Sequence, residues 1–362
     1  MNVSSQLLPG VPLVESPLFA QSLDDMGLMP QEREIAIQLN ERGYAVLDFP
    51  DEQIDARIDR VKASLAPRFG VDLSKADSIK NTGDLRIQDA WKFDDDVRAI
   101  AANPAILALL NKLYGRRAFP FQTLNFPVGT QQHMHSDSVH FSSIPERFMC
   151  GVWLAMEDIT EDAGPLLYYP GTHKWPILTN EMLGRRGSES KSGSAQSPYE
   201  AIWRSMVEAS GIQPQTFCPK KGQALIWAAN LLHGGSRQND LTRTRWSQVT
   251  HYYFADCAYY TPAFSDASLG QLDLRTITNV EHGNNEPKVH LGAEIGPSLQ
   301  RESRLGKLSA RFRRRPTTVD GDLPIDFDED VYYRLNTDVA ASGADAKRHY
   351  LLHGRFERRR YK

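Results

Sequence analysis

Between Gln132 and Phe141 the chain reads Gln-His-Met-His-Ser-Asp-Ser-Val-His-Phe, three histidines and a carboxylate within ten residues. In an extended stretch, side chains two apart share a face. His135 and Asp137 are therefore predicted to project together, with His133 beside them if the strand reaches back that far. An imidazole nitrogen next to a carboxylate oxygen is two-thirds of the 2-His-1-carboxylate facial triad of non-heme Fe(II) sites. The stretch alone leaves zinc and other metal chemistries open.

A candidate third ligand is His233, in Ile226-Trp-Ala-Ala-Asn-Leu-Leu-His-Gly-Gly235, where an apolar strand delivers an imidazole just before a glycine turn. A single histidine there is more often a satisfied core or turn residue. The distant His135-x-Asp137 pair raises the odds of a metal site assembled from two strands. Arg245 follows twelve residues later, opening Arg245-Trp-Ser-Gln-Val-Thr-His-Tyr-Tyr-Phe254. A buried arginine is costly without a counter-charge, and its planar fork matches a carboxylate bidentately. The bland reading is a rim salt bridge; the sharper one is an anchor for a carboxylate-bearing co-substrate. His133 with His135 would make the His-x-His pair of a cupin, but no glutamate follows at the required spacing. His140 and His173 read as turn residues or supports for the ligands, and His251, inside a strand, as structural. A zinc hydrolase using His-Asp-His would have no need of Arg245.

The elements that must hold these residues are α+β. Residues 1–28 read as an irregular arm broken by Pro9, Pro12 and Pro17. A helix is expected from Pro30 to Arg42, stopped by Gly43, then a strand over Tyr44–Phe49. Asp51 is expected to cap a helix carrying Ile54, Ile58, Val61 and Leu65 on one stripe. Helical signal then covers Asp95–Tyr114, interrupted at Asn103-Pro104. From Ala118 the pattern changes to short apolar runs: Phe119–Pro127, Phe148–Met156, Pro165–Tyr169, Gln223–Ala228 and Ser247–Phe254. Many short strands between turn signals, without βαβ alternation, predict a jelly roll braced by the N-terminal helices. An insertion over 179–215, polar and Gly/Ser-rich in its first half and helical in its second, reads as a lid or as a docked surface excursion.

With 41% hydrophobic and 24% charged residues over 362 positions, the chain has an ordinary globular composition. A net charge of -3 gives no global push toward nucleic acid or membrane. Three widely spaced cysteines, without a C-x-x-C pair, predict a reducing, cytoplasmic setting. Residues 301–324 read as a basic linker. Within it Arg301–Arg315 is a solvated helix in the commoner case and a membrane-surface or polyanion contact in the rarer one. Residues 325–362 read as a small helical module. There Val331, Leu335 and Val339 recur at helical spacing up to Gly343, with a second short helix around Tyr350–Gly354. His349 and His353, four apart, are expected to pack or face solvent.

The ordered set His135-x-Asp137, Trp153 in Val-Trp-Leu-Ala-Met-Glu-Asp158, Ala163-Gly-Pro-Leu-Leu-Tyr-Tyr-Pro-Gly-Thr-His173, His233-Gly-Gly-Ser, and Arg245-x-Ser247 resembles the phytanoyl-CoA dioxygenase family over roughly Pro30 to Phe264. The resemblance implies a double-stranded β-helix (jelly roll) that uses Fe(II), 2-oxoglutarate and O2. It implies His135, Asp137 and His233 as iron ligands and Arg245 as the anchor of the distal carboxylate of 2-oxoglutarate. Ser236 or Ser247 would assist, Gln122 would contact the co-substrate, and Trp153 matches an active-site tryptophan. The loop after His233 is one residue longer than the family spacing, so Gly235 competes with Ser236 for the serine position and Arg243 with Arg245 for the anchor; Ser247 favours Arg245. Halogenating relatives replace the carboxylate ligand with a small residue, so Asp137 implies hydroxylation of a small-molecule substrate, within one oxygenase domain over 29–300. The tail resembles a module appended to bacterial glycan-synthesis proteins, with Thr337 in place of the usual proline. The competing reading is a catalytically silent jelly-roll protein recruited to a surface-glycan pathway through residues 301–362.

Overall fold

The computed structural model describes residues 7–75, 85–190, 195–295, 323–324, 326–342, 345–355 and 359–362. The chain divides into two compact units, Met1–Gln300 and Arg301–Lys362.

In the first unit, helix α1 (Pro30–Arg42) has Pro at its first position and ends at Gly43 in the left-handed conformation. It leads into strand β1 (Tyr44–Asp48). Helix α2 (Ile54–Leu65) buries Ile58, Val61 and Leu65 fully, each contributing about 1.5–3 kcal/mol of apolar burial. Its cap differs from the expected one: Gln53 is the N-cap residue, and Asp51 instead accepts from the Gln53 amide at 2.8 Å. Strand β2 (Ile87–Gln88) follows, then α3 (Asp95–Ala101) and α4 (Pro104–Tyr114). The break between those two helices comes from Asn103, whose side chain accepts from the amides of Ala105 and Ile106.

The strands then run β3 (Ala118–Phe126), β4 (Ser142–Ile144), β5 (Met149–Ala155), β6 (Leu166–Tyr168), then helix α5 (Ser197–Ser210), β7 (Gln215–Phe217), β8 (Gln223–Ala228), β9 (His233–Gly235), β10 (Ser247–Phe254) and β11 (Ala258–Tyr260). A six-stranded antiparallel sheet has the order β1-β8-β5-β10-β3-β2, and a three-stranded antiparallel sheet has the order β7-β6-β9. Period-two alternation sorts the large sheet's faces. Val152, Leu154 and Ile226 pack with the helices, Ile58 and Leu110 among them. Trp153, Leu225, Trp227 and Val249 pack toward Leu166, Tyr168 and Phe217 of the small sheet.

Three expectations are corrected. The N-terminal arm is not irregular: its described part makes short helical turns at Leu13–Glu15, Phe19–Ser22 and Leu23–Asp25. Val14, Phe19 and Leu23 enter the main core, because apolar side chains on single turns still bury when a helix pair offers a groove. The His135 stretch is not a strand beyond one bridge to His233, and a tight turn at Asp137–Val139 follows it. In the second unit the helix breaks at Asn336, giving α6 (Glu329–Leu335) and α7 (Thr337–Ser342), before α8 (Ala346–His349). Of the expected stripe Val339 is buried, but Leu335 is 40% exposed, and Tyr332, off the stripe, is buried instead. Arg301–Arg315, Gly343 and the side chain of His353 lie outside the described residues.

The insertion's helix α5 is docked. Tyr199 and Trp203 are buried with Val139, Leu178, Leu232 and Ala263, and Tyr199 Oη donates to Asn180 at 2.9 Å. No helix among the described residues is long and apolar enough to cross a membrane.

Candidate metal centre

His135 and His233 are clamped backbone to backbone, each amide donating to the other's carbonyl at 2.9 Å. The approach needs the glycines after His233: a Cβ at Gly234 would lie 2.7 Å from the Gln132 carbonyl, and one at Gly235 would lie 2.8 Å from the Gln131 nitrogen. The two rings stand 4.4 Å apart between centroids. Asp137 enters through the turn that Ser136 caps, its hydroxyl accepting from the Ser138 amide at 3.2 Å. Asp137 Oδ1 then lies 3.7 Å from His135 Nε2, and Oδ2 lies 3.9 Å from His233 Nε2.

Both imidazoles have the same orientation. Nδ1 of His135 faces the His133 carbonyl at 2.9 Å, and Nδ1 of His233 faces the Leu231 carbonyl at 3.0 Å. A carbonyl only accepts, so each Nδ1 carries the proton and each Nε2 presents a bare lone pair. One donor atom from each of His135, Asp137 and His233 falls within 4.8 Å of the others, all three residues being buried. Burial, with His233 nearby, holds the His135 imidazole down at about 3. Burial alone would raise the Asp137 carboxyl, but His233, His251, His135 and the Trp227 N–H outweigh it and hold it at about 2. Near neutral pH the site therefore offers a carboxylate and neutral imidazole nitrogen, the donor set of a divalent transition metal.

The centre opens into a cavity of about 360 Å³ lined by Gln122, Trp153, Trp227, Arg245 and His251 as well as the triad, within the usual range of small-molecule sites. Arg245 is 2% exposed, donates from Nη1 to the Gly164 carbonyl at 3.0 Å, and stands 5.8 Å over the Trp153 ring. Its Nε is buried without a partner, and among the described residues it makes no ion pair. Desolvation lowers its pKa to about 10, which leaves it cationic near neutrality. Arg243 is by contrast 58% exposed and pairs with Asp240. The Ser236 and Ser247 hydroxyls are buried without partners, and neither residue is among those lining the cavity. Gln122 Oε1 accepts from His251 at 3.0 Å.

His251 is not the structural residue the sequence suggested. Its Nε2 lies 3.7 Å from Asp137 Oδ2, and it lines the cavity. Trp227 was missed altogether, yet its Nε1 donates to Asp137 Oδ2 at 2.8 Å. Strand parity was the available signal: His251 shares a face with Val249 and Ser247, and Trp227 with Leu225. Of the other histidines, His140 lines the cavity, His133 is exposed and lends only its carbonyl, and His173 is buried against the Asn40 carbonyl at 3.0 Å.

Residues 34–245 match the family model described as phytanoyl-CoA dioxygenase (PhyH). The chain is 30% identical over 153 residues to a probable phytanoyl-CoA dioxygenase of Caenorhabditis elegans, covering 39% of this chain and 49% of that one. It is 24% identical over 260 residues to the peroxisomal phytanoyl-CoA dioxygenase of Rattus norvegicus, covering 67% and 73%. The chain thus spans about half the length of the nematode relative it matches. Among solved structures it is similar to the non-heme alpha ketoglutarate dependent carbocyclase SnoK from nogalamycin biosynthesis, with TM-score 0.49, 15% identity and coverage of 67% and 90%. It is also similar to the epimerase SnoN in complex with Fe3+, alpha ketoglutarate and nogalamycin RO, with TM-score 0.47, 20% identity and coverage of 67% and 90%.

Proposed function

The chain belongs to the phytanoyl-CoA dioxygenase family, and on that premise we propose that it is an Fe(II)- and 2-oxoglutarate-dependent dioxygenase that hydroxylates a small molecule. The two facing antiparallel sheets are then the double-stranded β-helix, and the helices packed on the large sheet are its brace. The observation that carries the reading is the convergence of two Nε2 atoms and the Asp137 carboxylate at a cavity that also holds a buried cation without a counter-ion among the described residues.

His135, Asp137 and His233 are the ligands. Their tautomers are set by the His133 and Leu231 carbonyls, so metal binding needs no reorganisation of the rings. A facial set of three protein donors of this kind would hold iron(II) while leaving it open to a co-substrate. Iron(II) bound there supplies, with 2-oxoglutarate and O2, the oxidising power for C–H hydroxylation, 2-oxoglutarate leaving as succinate and CO2.

Arg245 receives the distal carboxylate of 2-oxoglutarate. An anion there satisfies its orphaned Nε and neutralises a charge that burial otherwise penalises. Ser247 and Ser236 assist from behind the cavity wall, Trp153 supports the guanidinium face, and Gln122 orients His251. Helix α5, through Tyr199 and Trp203, packs on Val139, two residues beyond Asp137, and so braces the turn that carries the carboxylate. The C-terminal unit lies outside the matched residues.

Anaerobic calorimetry tests the reading. Mn(II) as a redox-silent stand-in is expected to bind with one site per chain, and 2-oxoglutarate to bind the Mn(II) protein but not the Arg245→Gln variant. A wild-type chain that takes up neither would return the protein to a binding role without catalysis.

A further inference from the structure

Arg245 is not the only guanidinium facing the cavity. Arg275 lines it too, as does the exposed Arg86, and the one carboxylate among the lining residues is Asp137 of the triad. Its Nη1 donates to Thr261 Oγ1 at 3.2 Å and, at 3.5 Å, to the His140 carbonyl. Its Nε is buried without a partner, and its guanidinium lies 4.9 Å over the Phe141 ring. It forms no ion pair with any described carboxylate. Five donors with two neutral acceptors, one of them at the limit of hydrogen bonding, leave the group under-satisfied.

Its place in the cavity separates it from Arg245. The cavity wall follows β10 from Arg245, just before the strand, past Val249 to His251. At ~3.3 Å per residue the first and last of these are roughly 20 Å apart along the strand. Beyond His251 comes the Phe141 ring, 5.2 Å from the His251 ring, and Arg275 lies over that ring. The Arg275 backbone amide donates to the Tyr259 carbonyl at 2.8 Å, which fixes it to β11, downstream of β10. Arg275 thus stands one aromatic ring beyond the histidine that touches Asp137, at the end of the cavity remote from Arg245. The wall at this end is otherwise apolar or neutral, with Phe141, Phe264, Thr261 and His140.

We propose that Arg275 is the recognition site for an anionic group of the primary substrate, a carboxylate or a phosphate, whose apolar segment lies along Phe141 and Phe264 toward the triad. This rests on the oxygenase reading, which assigns Arg245 to 2-oxoglutarate and leaves Arg275 for the molecule that is oxidised. A charged acceptor on a half-buried guanidinium whose Nε lacks a partner contributes enough to favour an acid over its uncharged isostere by about tenfold or more.

The test compares matched probes on the Mn(II) protein under nitrogen, with 2-oxoglutarate at saturation so that Arg245 is occupied. Octanoate is titrated against octanamide, and octyl phosphate against octanol. The wild type is expected to prefer the charged member of at least one pair by about tenfold or more, and the better pair identifies carboxylate or phosphate as the group. Arg275→Gln is expected to abolish that preference while still binding the uncharged probe, and Arg275→Lys to retain part of it. Equal affinities in the wild type overturn the proposal without recourse to any variant. So does a preference that persists in Arg275→Gln, or one that disappears when 2-oxoglutarate is added, since the last assigns the anion to Arg245. Failure of the oxygenase reading looks different: neither Mn(II) nor 2-oxoglutarate binds, whatever the octanoate titration gives.

Discussion

Trp227 Nε1 donates to Asp137 Oδ2 at 2.8 Å, across ninety residues of sequence and from one sheet face onto the ligand turn. The bond fixes which carboxylate oxygen is engaged and leaves Oδ1 turned toward His135. The indole is itself held in place by Gly151 on the neighbouring strand, where any Cβ would collide with it. Trp227→Phe keeps the apolar bulk and removes the donor. Metal affinity is expected to fall by about 10–100-fold, read by Mn(II) calorimetry, with the far-UV circular dichroism unchanged.

Arg245 is buried and cationic without a counter-ion among the described residues, so the structure predicts opposite signs for stability and binding at this position. Arg245→Met is expected to abolish 2-oxoglutarate binding, while the ligand-free variant unfolds at the same temperature as the wild type or higher. Thermal unfolding with and without 2-oxoglutarate checks both.

The metal-free protein should lose stability on mild acidification. Burial holds His135 at about 3 and His251 at about 4, against an ordinary value of 6.5. Burial likewise holds His173 at about 4. Between about pH 6.5 and 4 the unfolded chain takes up protons on these rings and the folded chain does not, so stability rises with pH through that window and levels off above it. Below it, Asp137 adds a loss of the same sign, since its folded value is about 2 against 3.8. Urea unfolding midpoints measured from pH 4 to pH 8 show whether the slope is there; a flat profile would contradict the buried, neutral assignment.

Trp203 is 2% exposed and anchors α5 with Tyr199. Trp203→Ala leaves a cavity worth about 3–5 kcal/mol if the helix stays packed. Release of the helix relieves part of that cost, so limited proteolysis is expected to cut faster within 179–215 while global unfolding shifts less than the full amount.

Much of this was legible in the sequence. Gln223–Ala228 and Ser247–Phe254 were bounded by turn residues and fall where expected, as does α1 between Pro30 and Gly43. His135, Asp137, His233 and Arg245 were legible because each stands beside a glycine, a turn or a strand start that fixes its direction. Trp227 and His251 were not, since a tryptophan and a histidine inside apolar strands look like core until the sheet register lines both up with Gly151 and the fold brings the Asp137 turn against them. The N-terminal arm escaped because its prolines erase periodicity, while Val14 and Phe19 bury by docking rather than by repeating. Asn336 escaped for a related reason. Its side chain bonds the Tyr332 and Arg360 carbonyls, a tertiary contact that ends a helix the local spacing would continue.

The central claim is tested most directly by turnover. Purified chain supplied with Fe(II), 2-oxoglutarate and O2 is expected to release succinate, with the yield abolished by omitting Fe(II) and by His135→Ala. Succinate formation that continues undiminished in His135→Ala would contradict the account.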